Sequence, residues 1–363
     1  MQPKNNYCVI MAGGIGSRFW PISRTSKPKQ FLDILNTGKT LLQQTVERFE
    51  FFCPRENIFV VTGEAYAEIT KEQIPFLSEN QILLEPVRRN TAPCIAYAVA
   101  KIQCINPEAT IIVAPSDHLI FNEDRFRNVI ETGIDFASKN DVLVTIGIRP
   151  TRPETGYGYI QYQSDQAIAE NCVFPVKTFT EKPNLELASI FLKSGDFLWN
   201  SGIFIWHQKS INKALERFAP DIYYNFSDLM TVYNTPHEKM AIFDAYFKCK
   251  SISIDYAIME KADNVYVVEG NFGWSDLGTW GSLFEHCEKN SDNNILTNNS
   301  IFTYDVTNSI IYMPKDKVVI VQGLDDYIIA ESDKYLLICK KTEEQRIREF
   351  VSDMENRLGN NKL

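Results

Sequence analysis

No apolar stretch of this 363-residue chain approaches 18 residues, so no membrane-spanning helix is predicted. The apolar run near the N-terminus, YCVIM, is five residues long, too short for the core of a secretory signal. Positive charge is in deficit: 37 Lys and Arg against 46 Asp and Glu leave a formal net charge of −9. A sequence-independent nucleic-acid binder wants the opposite balance, so that class is disfavoured. The four histidines, His118, His207, His237 and His286, are scattered without metal-ligand spacing, and none is assigned a catalytic role. None of the eight cysteines belongs to a C-x-x-C pair. They read as reduced, structural thiols of a cytoplasmic protein, with a structural zinc site as the weaker alternative. With 44% hydrophobic and 23% charged residues, and no low-complexity tract, collagen, long disorder and a coiled coil are excluded.

What is present is an ordinary globular composition, long enough for one large domain and a small one. Over the first 150 residues short apolar runs alternate with helical patterns. Strands are predicted at 7–11, 57–62, 81–84, 110–114 and 141–147, and helices at 40–52, 64–74, 91–104 and 123–139, with Thr40 as an N-cap. Such alternation implies right-handed crossovers and a mostly parallel sheet. Past Arg149 strands are predicted at 157–163, 173–179, 201–207 and 264–269, with a helix at 185–193 and three helical stretches over 208–247. The polar segment EKNSDNNILTNNS marks a boundary, giving a large α/β domain over 1–290 and a small β-rich one over 291–363. The latter ends in a predicted helix, 342–358.

The most informative segment is AGGIGSRFWPISRTSKPKQF, residues 12–31, directly after the first strand. Gly13, Gly14 and Gly16 let the backbone approach a ligand and aim amides at it, which suits phosphate oxygens. Residues 1–31 hold Lys4, Arg18, Arg24, Lys27 and Lys29 and no acidic residue, a local excess that points to an anionic ligand. Two standard phosphate motifs fail. G-x-G-x-x-G would need glycine where Phe19 stands, and G-x-x-x-x-G-K-[ST] has no match.

The segment resembles the G-G-x-G-x-R…P-K signature of the sugar-1-phosphate nucleotidylyltransferases, and most closely that of the mannose-1-phosphate guanylyltransferases. Further matches follow in the family's order. They are Glu85-Pro86 with Arg89-Asn90-Thr91-Ala92-Pro93, then Pro115-Ser116-Asp117-His118, Gly156-Tyr157-Gly158-Tyr159-Ile160 and Glu181-Lys182-Pro183. Trp199-Asn200-Ser201-Gly202, Ser253-Ile254-Asp255-Tyr256 and Trp274-Ser275-Asp276-Leu277-Gly278 complete the series, which covers about residues 7–285. Each is weak alone; together they are specific.

The resemblance implies a Rossmann-like, three-layer α/β/α nucleotidyltransferase domain with a mostly parallel mixed sheet. It also implies a small C-terminal β module, in this family often a short left-handed β-helix that helps form a homodimer. The implied partners are GTP and mannose 1-phosphate as substrates and GDP-mannose as product, with pyrophosphate released, Mg²⁺ as cofactor, and no nucleic acid or membrane. The sugar phosphate attacks the α-phosphorus in line, so the protein's work is positioning and charge neutralisation. Some relatives carry a fused isomerase domain further on; here the transferase activity alone is expected.

Carried onto this sequence, Arg18 and Lys29 hold the β- and γ-phosphates. Asp117 and Asp276 are the metal pair, each with a cap or turn role as its bland alternative. Ala12, Gly13, Gly14, Gly16, Ser17, Glu85, Asn90, Thr91, Ala92 and Ser116 bind nucleotide. Glu85 either accepts from guanine N1–H and N2–H₂ or merely ends its strand, and Thr91 either contacts nucleotide or caps the next helix. Gly158, Glu181, Lys182 and Asn200 take the sugar phosphate, while Asp255 either supports them or caps the segment YAIMEK. Another sugar phosphate or nucleotide is the alternative within the enzyme class, and a non-catalytic nucleotide-sugar-binding subunit the alternative outside it. A dinucleotide-dependent oxidoreductase is disfavoured by Phe19.

Overall fold

A computed structural model of the chain describes residues 3–168 and 172–358. They form two compact units. The first holds residues up to Gly13 with Thr45–Ser116 and Ile120–Trp274; the second holds Gly14–Gln44, Asp117–Leu119 and everything from Ser275 on.

The first unit is built on a nine-stranded sheet. In chain order its strands are β1 (Asn6–Met11), β2 (Ile58–Gly63), β3 (Ile82–Glu85), β4 (Thr110–Pro115) and β5 (Leu143–Ile148). They continue as β6 (Gly158–Tyr162), β7 (Val173–Glu181), β8 (Phe197–His207) and β9 (Val265–Gly270). The spatial order is β3-β2-β1-β4-β8-β5-β9-β7-β6. The strands β1 to β4 are parallel, as the βα alternation predicts, and β9 lies parallel to β5. The mixed character enters with β8, which runs antiparallel between β4 and β5, and with the hairpin β6–β7. Chain order reverses between β1 and β4, whose carboxyl ends are registered as Met11 opposite Pro115. In open α/β sheets such a switch point is where ligands bind.

Alternation along the strands separates two helical layers. Leu143, Phe204 and Trp206 share one apolar cluster with the helix Thr91–Ile105 and with Ile211, Phe226 and Tyr246 from the helices that follow β8. Their strand neighbours Val144 and Ile205 face the other way, onto Gly133 of the helix Glu123–Lys139. A β carbon at Gly133 would stand 2.6 Å from Ile205 Cδ1, so this helix lies close on that face. The strand expected at 201–207 begins earlier, at Phe197. A register shift opposite Thr145–Gly147 breaks the pattern there, and Gly202 takes φ +71°. A bulge of this kind re-aims side chains, here that of Asn200.

The second unit contains β10 (Ile295–Leu296), β11 (Ile301–Tyr304), β12 (Ile310–Tyr312), β13 (Val319–Gln322), β14 (Tyr327–Ser332) and β15 (Tyr335–Lys340). Successive stretches of chain stack in parallel: Ile295 beside Ile310, Ile310 beside Ile328, and Ile301 beside Val319. The arrangement is a short parallel coil closed by the antiparallel pair β14–β15. Ile295, Ile310 and Ile328 point into a cluster with Phe19, Trp280 and Ile347, while Ile301, Ile311, Val321 and Ile329 fill a second. Each fully buried aliphatic side chain contributes about 1.5–3 kcal/mol. Thr40 caps the helix Leu41–Phe49 reciprocally: its Oγ1 accepts from Gln43 N, and Gln43 Oε1 accepts from Thr40 N. The closing helix runs from Ile347 to Leu358, preceded by a 3-10 segment, Lys341–Arg346, where the sequence suggests continuous helix.

Asn294 is fully buried in this coil; its Nδ2 donates to Val306 O at 2.7 Å and its Oδ1 accepts from Ser309 N at 2.9 Å. Asn294→Leu orphans both backbone groups, and we expect a loss of about 2–4 kcal/mol in chemical denaturation. An unchanged midpoint would show that these bonds do not hold the coil.

Candidate active site

In the second unit the glycine loop folds back on itself. Gly16 takes φ +68°, and a β carbon there would lie 2.5 Å from Lys29 Cβ, so only glycine lets Lys29 pass so close. Gln30, also buried, donates through Nε2 to Gly14 O at 3.0 Å. Ser17 and Arg18 open the short helical turn Ser17–Phe19, which buries Phe19 against Trp280 with ring centroids 5.2 Å apart. Arg18 Nε is buried and carries no hydrogen bond.

Lys29 is 4% exposed, and its ammonium makes three contacts. It pairs with Asp117 Oδ2 at 2.8 Å and donates to Asp276 O at 2.8 Å and Leu277 O at 2.9 Å. Three donors meet three acceptors, which is the full capacity of the group, so in this arrangement Lys29 has no donor left for the β- and γ-phosphates that the resemblance assigns to it. Burial by itself raises the Asp117 carboxyl, but the Lys29 charge, with His118 and the Lys29 hydrogen bond, outweighs it and leaves it below the usual range. The two acids expected to form the metal pair are thus held by one lysine. Asp276 Oδ1 accepts from Gly278 N at 3.0 Å in the turn that follows.

Two carboxylates are a hard oxygen donor set, which fits a divalent cation that completes its shell with water and phosphate oxygens. Among the described residues no group of three or more His, Cys, Asp or Glu is placed to hold a metal. A cation at Asp117 and Asp276 would therefore draw the rest of its ligands from water, substrate oxygens or groups other than these.

In the first unit, Glu85 ends β3 and lies under Gly13: a β carbon on Gly13 would stand 3.2 Å from Glu85 Oε2. Burial pushes its carboxyl up to about 7, with Tyr246 and Arg88 pulling it back. Tyr246 OH lies near enough to Glu85 to pull its carboxyl down but not in hydrogen-bonding geometry, so Glu85 Oε1 and Tyr246 OH are both buried without a well-formed hydrogen bond. A buried carboxylate oxygen left unsatisfied is an acceptor awaiting a donor. Tyr246, in the helix Glu238–Lys248, is not among the sequence candidates, because nothing in its spacing marks it.

The remaining nucleotide candidates are mostly tied into the framework. Ala12 N donates to Val61 O, Ala92 N to Ile252 O and Ser116 N to Met11 O. Asn90, at φ +67°, is the N-cap of the helix Thr91–Ile105, with Oδ1 accepting from Thr91 N. Thr91 is the first helical residue rather than the cap, and its Oγ1 accepts from Ile254 N at 2.8 Å.

The four sugar candidates lie on β6, β7 and β8 and the turn after β7. A β carbon at Gly158 would stand 2.5 Å from Glu181 Oε2 and 3.3 Å from Asn200 Cβ, so these three come together. Lys182, in the left-handed region at φ +48°, turns its Nζ back to Glu181 Oε1 at 2.7 Å. Asn200 Oδ1 accepts from Thr145 Oγ1 and Gly202 N, and its Nδ2 donates to Asp255 Oδ1 at 2.9 Å. Asp255 therefore supports Asn200; the residue capping its segment is Ile254, which makes no side-chain cap bond. Burial and the Glu181 charge raise Asp255 to about 6. The cluster offers carboxylate, amide and ammonium groups at one place, the complement of a polyhydroxylated anion.

Comparison with known proteins agrees with these features. The nucleotidyl transferase family model matches residues 7–293. A mannose-1-phosphate guanylyltransferase of Salmonella montevideo is 38% identical over 357 residues, spanning 96% of this chain and 74% of that protein. The alginate biosynthesis protein AlgA of Pseudomonas aeruginosa is 34% identical over 358 residues, 96% of this chain and 72% of that one. A crystal structure from Thermus thermophilus, described as a mannose-1-phosphate geranyltransferase, aligns with a TM-score of 0.86 at 30% identity, covering 97% of this chain and 99% of that one. By both its family match and its relatives, the chain belongs to the nucleotidyl transferase family, among the mannose-1-phosphate guanylyltransferases.

Proposed function

We propose that this protein transfers GMP from GTP to mannose 1-phosphate, giving GDP-mannose and pyrophosphate. The observation that carries the chemistry is the Lys29 ammonium holding the Asp117 carboxylate and the Asp276–Leu277 backbone together. The relatives named for this reaction carry the choice of substrates. Asp117 and Asp276 would hold Mg²⁺, and the chemistry it supplies when bound is screening of the charge between α-phosphate and incoming sugar phosphate. Lys29 keeps Asp117 ionised and in place. Arg18, with its unpartnered Nε, receives the β- and γ-phosphates, and the glycine loop lets its amides approach them. Glu85 accepts from the guanine edge through its unsatisfied Oε1. Glu181 and Asn200 accept from and donate to mannose hydroxyls, Lys182 binds the sugar phosphate, and Gly158 leaves the room they need. Eight free thiols suit a reducing, cytoplasmic setting.

We further propose a homodimer formed through the coil. Phe302 and Tyr304 of β11 and Ile320 of β13 are 49%, 57% and 71% exposed, and Phe302 sits directly beside Ile320. A contiguous apolar face of this kind suits a partner of the same sort. Ile320→Glu is expected to give a monomer in light scattering with the coil intact; an unchanged mass would place any contact elsewhere.

The first assay is pyrophosphate release with Mg²⁺ across the five nucleoside triphosphates and mannose, glucose and heptose 1-phosphates. Release confined to GTP with mannose 1-phosphate is expected, and Asp117→Asn should nearly abolish it while thermal unfolding stays cooperative. Near-normal turnover in that variant would remove Asp117 from the metal site.

Glu85 adds a pH signature. Its carboxyl titrates near 7, so the ionised form that accepts from guanine is lost as pH falls through that value. KM for GTP should therefore fall as pH rises from about 6 to 8. Glu85→Gln should flatten that profile and weaken discrimination of GTP from ATP. Unchanged selectivity would rule the contact out.

A further inference from the structure

Resting on the nucleotidyl-transfer reading above, we propose that Arg348, from the helix Ile347–Leu358, is a second phosphate-binding residue that acts with Arg18 on the pyrophosphate portion of the nucleotide. The need for one follows from Lys29. Its three donors are taken up by Asp117, Asp276 and Leu277. Arg24 is paired with Asp333. Within the loop this leaves Arg18, one turn from the glycines, and the exposed Lys27, on the far side of the Arg24 bridge, to meet a multiply charged leaving group.

Arg348 stands where a second cation is wanted. Ile347 is fully buried in the cluster that also holds Phe19 and Trp280, which anchors the start of the helix against the Ser17–Phe19 turn. From there Arg348 Nε donates to Ser17 Oγ at 3.0 Å, one residue from Arg18. A guanidinium carries five donors, and among the described residues this is the bond Arg348 makes. Neither Arg18 nor Arg348 forms an ion pair among those residues. Arg348 also borders a cavity of about 500 Å³ whose lining includes Ile15 and Ser17 of the loop but not Arg18, so its remaining donors face open space on the Ser17 side of the loop. Glu355 lines the same cavity without pairing with it.

Burial lowers the Arg348 pKa, and repulsion from Arg18 adds to that, as expected of two neighbouring cations with no anion between them. Such a pair is unfavourable alone and is relieved when an anion binds both; guanidinium forks match phosphate oxygens in geometry as well as charge. The sequence hides this. Arg348 sits in an ordinary amphipathic helix at the far end of the chain from the glycine loop, and nothing in its spacing connects the two.

The test is calorimetry of inorganic pyrophosphate, with Mg²⁺, binding to the full chain and to Arg348→Ala and Arg348→Lys, with mannose 1-phosphate titrated in parallel. Arg348→Ala should weaken pyrophosphate binding about ten- to a hundredfold. Mannose 1-phosphate binding should stay as in the parent, and the melting temperature should remain within about 2 °C of it. Arg348→Lys, which keeps the charge, should recover a substantial part of the loss. Parent-like pyrophosphate affinity in Arg348→Ala overturns the proposal. So does an equal loss for both ligands with a fall in melting temperature, which would mark a structural role. If the parent binds pyrophosphate through Arg348 yet releases none from GTP and mannose 1-phosphate, the substrate reading fails and Arg348 stands. If the parent does not bind pyrophosphate, both fail.

Discussion

The Lys29 ammonium is the contact on which the phosphate end of this protein depends. A buried cation is costly unless every donor is answered, and here all three are, by one carboxylate and two backbone carbonyls. The pair is not there for stability alone; a buried ion pair often breaks even against apolar packing. Removing one partner is another matter, because it strands the other charge at a cost of about 3–5 kcal/mol. The loop, the Asp117 turn and the Asp276 turn therefore stand or fall together. The glycine at position 16 belongs to the same device, since a side chain there would collide with Lys29 Cβ.

Three carboxylates show how environment divides one chemistry into different roles. Asp117 is held below its usual range because a lysine overcomes its burial. Glu85 and Asp255 rise to about 7 and about 6 because burial dominates and no cation is paired with them. The first is suited to holding a cation at any physiological pH. The second can accept from a neutral donor such as a base edge, and its ionisation is tunable. The third, hydrogen-bonded to Asn200, orients an amide rather than meeting a charge. These assignments follow from burial and neighbours, which residue type does not reveal.

Much of this is legible in the sequence, and what is not has physical reasons. The strands and helices of the first 150 residues follow from apolar periodicity, because a parallel sheet covered on both faces demands continuous apolar strands. The antiparallel insertion of β8 between β4 and β5 is not legible, since pairing direction leaves no mark on composition. Its start at Phe197 is hidden by the bulge around Asn200–Gly202, whose polar residues read as loop. At the site, motifs point to the residues but not to their partners. Lys29 and Asp117 both stand out in the sequence, yet their pairing depends on tertiary placement. Tyr246 and Arg348 do not stand out, because each reaches its place from a helix whose pattern is explained by packing alone.

The grouping of the glycine loop with the C-terminal coil carries a consequence for how the site is kept. Phosphate loops need a backbone rigid enough to hold amides in place, yet glycines by themselves favour disorder. In this chain rigidity comes from Phe19 and Ile22, which are buried with Trp280, Ile295, Ile310 and Ile328. Those aliphatic residues come from successive rungs of the coil, each fixed by the next through parallel pairing. The coil therefore does more than offer an exposed apolar face. It supplies the inner wall against which the loop is set, and its last helix brings Ile347 to that wall and Arg348 to the loop. Changes to the coil's inward face should reach the phosphate-binding residues through Phe19, while changes to its outward face, at Phe302 and Ile320, should leave them alone.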